Sequence, residues 1–440
     1  MDFFHILPII TRLVSPSRIS SRRMVGRLLL AGFLLPLLSW GQPARTLRAD
    51  YVLSGDSASQ SISLYALSSF PGWAGRTTHL DSLPLRGNAV LTLRDAASDK
   101  VLYCQSFSTL FQEWQTTREA ATLRRAFELT LLMPMPERKA VASVALYDHR
   151  AHVVAEFSHA IDPADILIRH LDNCPVPPSR YLWQGNSSGN KIDVAIVAEG
   201  YTAAQSEDFY AKAAEATEAI LSHEPFKRLK NRFNFVAVMP ASQDSDVSIP
   251  QEGIWRNTAL DSHFSTFYSD RYLTSPSVWK LHDYLASMPY EHIILLANTH
   301  TYGGGGIYNA YTLTTTHHAA FRPVVVHEFG HSFAGLADEY YYDDQYENFY
   351  EAGIEPWEQN ITTLADFGAK WKDLLAPQTP VPTSPDATTP DRVGVYEGAG
   401  YMSKGVYRAR QDCRMKTNTC ADFCPVCQRA IDRLVRFYTE

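Results

Sequence analysis

Between residues 45 and 170 apolar and polar positions alternate with a period of two. Ile62, Leu64 and Ala66 share one parity, as do Phe127, Leu129 and Leu131, and Val144, Leu146 and Val153-Val154 lie in further short β-rich runs. Successive side chains of a strand point to opposite faces, so alternation marks strands with one face buried. Several such short strands predict a β-sandwich-like N-terminal domain over residues 42–175. His149, His152 and His159 fall inside it and read as surface or hydrogen-bonded histidines rather than ligands.

The texture then changes. Pro175, Pro177 and Pro178 precede the turn-rich stretch 185–190, which predicts a linker over 176–190. Beyond it Ile192-Asp193-Val194-Ala195-Ile196-Val197 is a buried-strand run, 205–221 is an Ala- and Glu-rich helix, 233–238 a strand, 278–288 a helix and 293–297 a strand. Strands separated by helices predict an α/β domain with a partly parallel sheet, occupying residues 191–440. The four glycines at 303–306 interrupt this order before the β-prone stretch 307–315. They fit either a cleft edge approached closely by other backbone or a plain loop. Five prolines between Pro377 and Pro390 predict an exposed loop, and residues 427–438 an amphipathic closing helix.

A hydrophobic fraction of 45% and a charged fraction of 20% over 440 residues fit a folded chain with more than one core. The apolar run 28–38 is eleven residues long and follows Arg22, Arg23 and Arg27. It is too short for the roughly 20 residues that cross a bilayer as a helix. Basic residues, a short apolar run and small residues predict a signal peptide over 1–41, cleaved after Gly41 and well formed if translation begins at Met24. The expected product is exported (periplasmic, cell-surface or extracellular) with no stable membrane insertion. Residues 1–41 carry five Arg and one Asp, so their removal takes the formal charge from −7 to −11. An acidic chain without a dense basic block excludes nucleic acid as the expected partner.

Chemistry concentrates in His327-Glu328-Phe329-Gly330-His331. Residues four apart on a helix stack one above the other, so both imidazoles can reach one ion, and neutral imidazoles at about 2.0–2.1 Å suit Zn²⁺. Glu328 sits beside the first histidine, placed to take a proton from water rather than to bind metal. Gly335 can end the helix in a left-handed turn and send a following carboxylate back to the ion. Asp338 is the expected third ligand and Glu339 its alternative. A structural site would use four protein ligands and have no need of a glutamate beside the first.

The run from His327 to Tyr340 resembles the zinc motif of the M64 peptidases, the IgA-peptidase-like metalloproteases of the metzincin clan. Ile192 through Thr202, and Gly398-Ala399-Gly400-Tyr401 through Tyr407-Arg408 to Cys413-Arg414-Met415, are similar to two further segments of that family. The resemblance covers about 190–430 and implies an α/β metzincin-like zinc peptidase domain preceded by a β-rich one. It implies one catalytic zinc, a protein or peptide substrate, and a methionine turn beneath the metal, with Met415 the better candidate and Met402 the second. It also implies a tyrosine hydroxyl for the oxyanion, Tyr407 or Tyr401, of which we take Tyr407. Ala334 and Ala337 stand where the ordinary metzincin pattern has Gly and His, so the glycine and the acidic ligand are each displaced by one residue. Substrate backbone is expected along an edge strand in the 303–311 region.

The expected function is therefore a secreted zinc endopeptidase with Glu328 as general base. The rival is an exported binding protein with a structural zinc, and the same chemistry also permits cleavage of a non-peptide amide. Six cysteines remain: Cys413, Cys420, Cys424 and Cys427 fit disulfides that tether the last helix or a four-cysteine zinc knot, and Cys104 and Cys174 fit a disulfide within the first domain.

Overall fold

A computed structural model describes residues 45–342 and 349–440. The expected signal segment lies outside the described residues. No helix among the described residues is long and apolar enough to cross a membrane.

The first half is built from β1 (Arg45–Gly55), β2 (Gln60–Pro71), β3 (Ala89–Asp95), β4 (Val101–Phe107), β5 (Arg125–Pro134), β6 (Ala140–Tyr147), β7 (Val153–Ile161) and β8 (Arg169–His170), with the short helix α1 (Leu110–Trp114) between β4 and β5. They form two four-stranded sheets, ordered β5-β1-β2-β8 and β4-β3-β6-β7. Tyr51, Leu129 and Leu131 from one sheet and Leu91, Val144 and Leu146 from the other share a single core, as period-two burial requires. Val153 and Val154 are exposed at the start of edge strand β7. His149 pairs with Glu351, His152 with Asp148 and His159 with the Tyr51 hydroxyl, so each has an ordinary partner.

The second half centres on a six-stranded sheet of β9 (Ser179–Gln184), β10 (Ile192–Glu199), β11 (Phe233–Val238), β12 (His292–Ala297), β13 (Gly304–Ile307) and β14 (Tyr311–Thr315), in the order β13-β14-β12-β10-β11-β9. The strands β11, β10, β12 and β14 run parallel and the two edge strands antiparallel. Residues 176–190, expected as a linker, thus include an edge strand. Its side chains are mostly exposed, so it lacks the apolar signature of a buried strand. The glycine run, expected to interrupt the strand order, supplies most of strand β13.

Helices α2 (Ser206–Ser222), α3 (Phe226–Leu229), α4 (Val278–Leu285), α5 (Phe321–Ala334) and α6 (Pro425–Thr439) accompany the sheet. A capping box between Thr202 and Gln205 fixes the turn that leads into α2. Phe329 and Phe333 of α5 share a core with Val194 and Ile196 of β10, Phe209 of α2 and Leu434 of α6. Apolar residues occur all round α5, as expected of a largely covered helix, with His327, Glu328 and His331 only partly buried. A third small sheet joins β15 (Tyr341–Tyr342), β16 (Ile361–Thr362), β17 (Tyr396–Ala399) and β18 (Tyr401–Arg408). Residues 377–390 contain no helix or strand.

The two halves meet through ion-pair and ring contacts. Arg48 of β1 pairs with Asp50 and with Asp283 of α4 at 2.9 and 2.6 Å, and Tyr65 stacks on Trp279 at 4.1 Å. At the end of β10 the fully buried Glu199 accepts from Thr258 Oγ1 (2.6 Å), Leu260 N (2.8 Å) and Ser262 N (2.9 Å). Replacing Glu199 with Ala strands those donors away from water, and we expect a loss of about 2–4 kcal/mol. Denaturant unfolding measures it, and unchanged stability would refute this role for the carboxylate.

Candidate metal centre

Helix α5 ends at Gly335, whose φ of +58° is left-handed. Its N–H bonds to His331 O at 2.9 Å, and Leu336 N bonds to Gly330 O at 3.2 Å, a glycine stop that satisfies the last carbonyls. A Cβ at 335 would lie 2.6 Å from the Trp357 ring, so space as well as backbone angle demands glycine. The chain then doubles back, and Asp338 Oδ1 arrives 3.0 Å from His327 Nε2 and 3.2 Å from His331 Nε2, with the two Nε2 atoms 3.0 Å apart.

Each imidazole is oriented from behind. His327 Nδ1 donates to Arg414 O at 3.0 Å and His331 Nδ1 to Leu336 O at 2.5 Å. With Nδ1 carrying the proton, a neutral ring presents the Nε2 lone pair. Asp338 Oδ1 is buried and has no hydrogen-bond donor. Three ligand atoms therefore converge on one point, an arrangement that could hold a cation at its centre. Zinc at about 2.0–2.1 Å in tetrahedral geometry sets its ligand atoms about 3.3 Å apart, close to the observed spacing. The residues present fit the ion.

Electrostatics agree. Burial alone would favour neutral imidazole, yet the Asp338 carboxylate overrides it, pushing His331 up to about 9 and raising His327. Burial would raise Asp338, but the two imidazoles hold it far below the usual carboxylate range. Asp338 Oδ2 accepts from the Tyr401 hydroxyl, and Asp338 O from Gly400 N at 2.9 Å. Tyr401 has φ +67°, uncommon for a residue with a side chain, and its place in β18 beside β15 holds it there.

Met415 is fully buried under the helix, where a Cβ on Gly330 would come within 2.8 Å of its Sδ. Met402 instead accepts from Tyr350 N, away from the helix. Glu328 lies on the side of β13: a Cβ at Gly304 would sit 2.9 Å from its Oε1, and one at Gly306 would sit 2.8 Å from His331 Cβ. The glycines thus let the edge strand lie against the helix face that bears Glu328 and His331. Burial raises the Glu328 carboxyl, with His327 and His331 opposing. Part of the outer edge of β13 is already covered, since Tyr272 bridges Gly304 and a Cβ at Gly303 would lie 2.7 Å from Arg271 O.

Of the residues singled out from sequence, His327, Glu328, His331 and Asp338 come together here. Glu339 does not; its side chain points to Cys427 and Asn360. Tyr407 does not either. It pairs across strands with Thr362 and Glu397, packs against the core, and feels the charges of Glu397 and Lys404 rather than those of the site. The tyrosines in contact with the site are Tyr401 and Tyr340, the latter stacked beside His327. Sequence reading missed Glu113 of α1, which accepts from Tyr272 at 2.6 Å. It feels the charges of His331 and Asp338. A glutamate on a short helix in a β-rich half carries no local signal of this. A separate cavity of about 970 Å³ between the halves, lined by Phe111, Phe127, Tyr268 and Tyr311, includes none of the metal-site residues.

The family model described as IgA Peptidase M64 matches residues 182–387 and 384–435, and that described as Peptidase M64 N-terminus matches residues 42–158. No curated protein matches the chain. These matches take in more than half of the sequence, including the whole of α5 and its returning acid, and the chain belongs to the M64 peptidase family.

Proposed function

We propose that this chain is an exported zinc endopeptidase of metzincin type, with a β-sandwich-like domain before its α/β catalytic domain. Membership of M64 and the His-Glu-x-x-His cluster support a metallopeptidase acting on protein or peptide. The convergence of His327 Nε2, His331 Nε2 and Asp338 Oδ1 on one point carries the proposal furthest. Export rests on the basic and apolar pattern of residues 1–41.

A zinc ion bound by these three residues supplies a Lewis acid that polarises a carbonyl and acidifies water. Glu328 is in the right place and state for the proton work. Burial raises its carboxyl toward the range where it can accept a proton from the attacking water and give it back to the departing amine. Tyr401 and the backbone carbonyls of Arg414 and Leu336 position the three ligands. Gly304 and Gly306 keep the edge strand close to Glu328, so an extended peptide beside β13 would present its carbonyl to the same face.

Two outcomes follow. Glu328→Gln keeps the shape and the zinc but loses the base, and peptide hydrolysis should fall by at least about 10²–10⁴-fold at full zinc occupancy; undiminished turnover would defeat the assignment. Zinc must also displace the proton that His331 holds up to about 9. Below that pH the neutral ring becomes scarcer as pH falls, so apparent zinc affinity should rise about tenfold per unit between pH 6 and 8. Competition against a chelator of known affinity measures this, and a flat profile would contradict it.

A further inference from the structure

On the opposite side of the segment that carries Asp338 lies a second group of metal-ligating side chains. Glu339, Cys413, Cys424 and Cys427 are all fully buried, and their ligand atoms lie within 4.8 Å of one another. Cys427 Sγ is 3.6 Å from Cys424 Sγ, 3.8 Å from Cys413 Sγ and 3.2 Å from Glu339 Oε1. We propose that these four side chains form a closed structural zinc site, separate from the catalytic centre.

Geometry and chemistry both bear on it. In a tetrahedral site with Zn–S of about 2.3 Å, sulfurs stand about 3.8 Å apart, and a carboxylate oxygen stands about 3.5 Å from a sulfur. The observed spacings are close to these and well beyond the roughly 2.05 Å of a disulfide. None of the six cysteines is disulfide-bonded, and Cys420, expected as a partner in this group, instead donates to Asp422 O. One disulfide among three thiols would leave the third thiol and a carboxylate buried together. Glu339 Oε2 is itself buried without a hydrogen-bond partner, while Oε1 accepts from Asn360 Nδ2 at 3.0 Å. Arg408, whose charge Glu339 feels, gives its Nη1 hydrogen bonds to the carbonyls of Glu397 and Gly398. A divalent ion would satisfy the carboxylate and the thiolates at once, with the thiol protons released to solvent.

Thiolate ligands select Zn²⁺ over harder ions. Four protein ligands leave no open position, which makes the site structural. Cys424-Pro425-Val426-Cys427 opens α6, whose N-terminus favours thiolate. Neighbouring side chains of an extended segment point to opposite sides: Asp338 faces one ion and Glu339 the other. Glu339 N also bonds to Met415 O at 2.8 Å. The second ion would thus tie together the returning acid segment, the methionine turn and the last helix.

The test uses the intact chain and a His327→Ala/His331→Ala double variant, purified with zinc and desalted. Two zinc ions per wild-type chain and one in the double variant are expected. The X-ray absorption edge of the variant should show a shell dominated by sulfur at about 2.3 Å. A folded double variant without zinc, a remaining zinc bound only by nitrogen and oxygen, or a disulfide joining two of Cys413, Cys424 and Cys427 by mass spectrometry would each overturn the site. The variant's fold is checked by circular dichroism. If it does not fold, the wild-type chain alone decides, through the presence or absence of a second zinc and of sulfur in its absorption spectrum. The catalytic reading is judged separately, because the double variant removes that centre and keeps this one.

Discussion

A pocket in which two imidazole nitrogens and a carboxylate oxygen meet, and which therefore favours positive charge, is the constraint around which this protein is arranged. Two imidazole nitrogens and a carboxylate oxygen are held within 3.2 Å of one another, and a proton can bridge only two of them. Their convergence is imposed from outside: both Nδ1 atoms are committed to backbone carbonyls, Asp338 is held by Tyr401, and Gly335 directs the chain back. The fold brings these three ligand atoms together by contacts made behind them, which is the sense in which the centre is preorganised.

The surrounding architecture answers two demands of that centre. The helix that carries both histidines is anchored by its apolar residues, which pack against the parallel sheet, α2 and α6. One face must nonetheless stay approachable, and there the sheet ends in a strand of glycines whose missing side chains leave room for Glu328. The β-rich half is more than an appendage: α1 brings Glu113 to Tyr272, alongside the covered stretch of the β13 edge. Residues of both halves of the chain therefore lie along that edge.

Much of this was legible in sequence where a local rule applied. The spacing of His327 and His331 gives their shared face directly, and Gly335 followed by Asp338 gives the returning acid. The alternating and continuous apolar runs marked β2, β5, β6, β7, β10, β11, β12 and β14 and the helices α2, α4 and α6, but not β1, β3, β4, β8 or β15 to β18. Legibility failed where three dimensions decide. Tyr401 and Tyr407 are six apart and share strand parity, so period two cannot separate them; pairing with β15 at one end does. Glycines at 304–306 argue against a strand by propensity, yet the adjacent helix excludes a side chain at 304 and 306 and the Tyr272 ring excludes one at 305. Ser179–Gln184 is a mostly exposed edge strand with no apolar signature. Asp338 and Glu339 are equivalent in composition and differ only in which side of the segment they face.

The most direct measurement is anomalous diffraction at the zinc edge from crystals of the intact chain. The account predicts a peak about 2.0–2.1 Å from His327 Nε2, His331 Nε2 and Asp338 Oδ1 together, with Glu328 beside it and not bound to it. A zinc-loaded crystal with no density at that point, or with Asp338 turned away from both imidazoles, would contradict it.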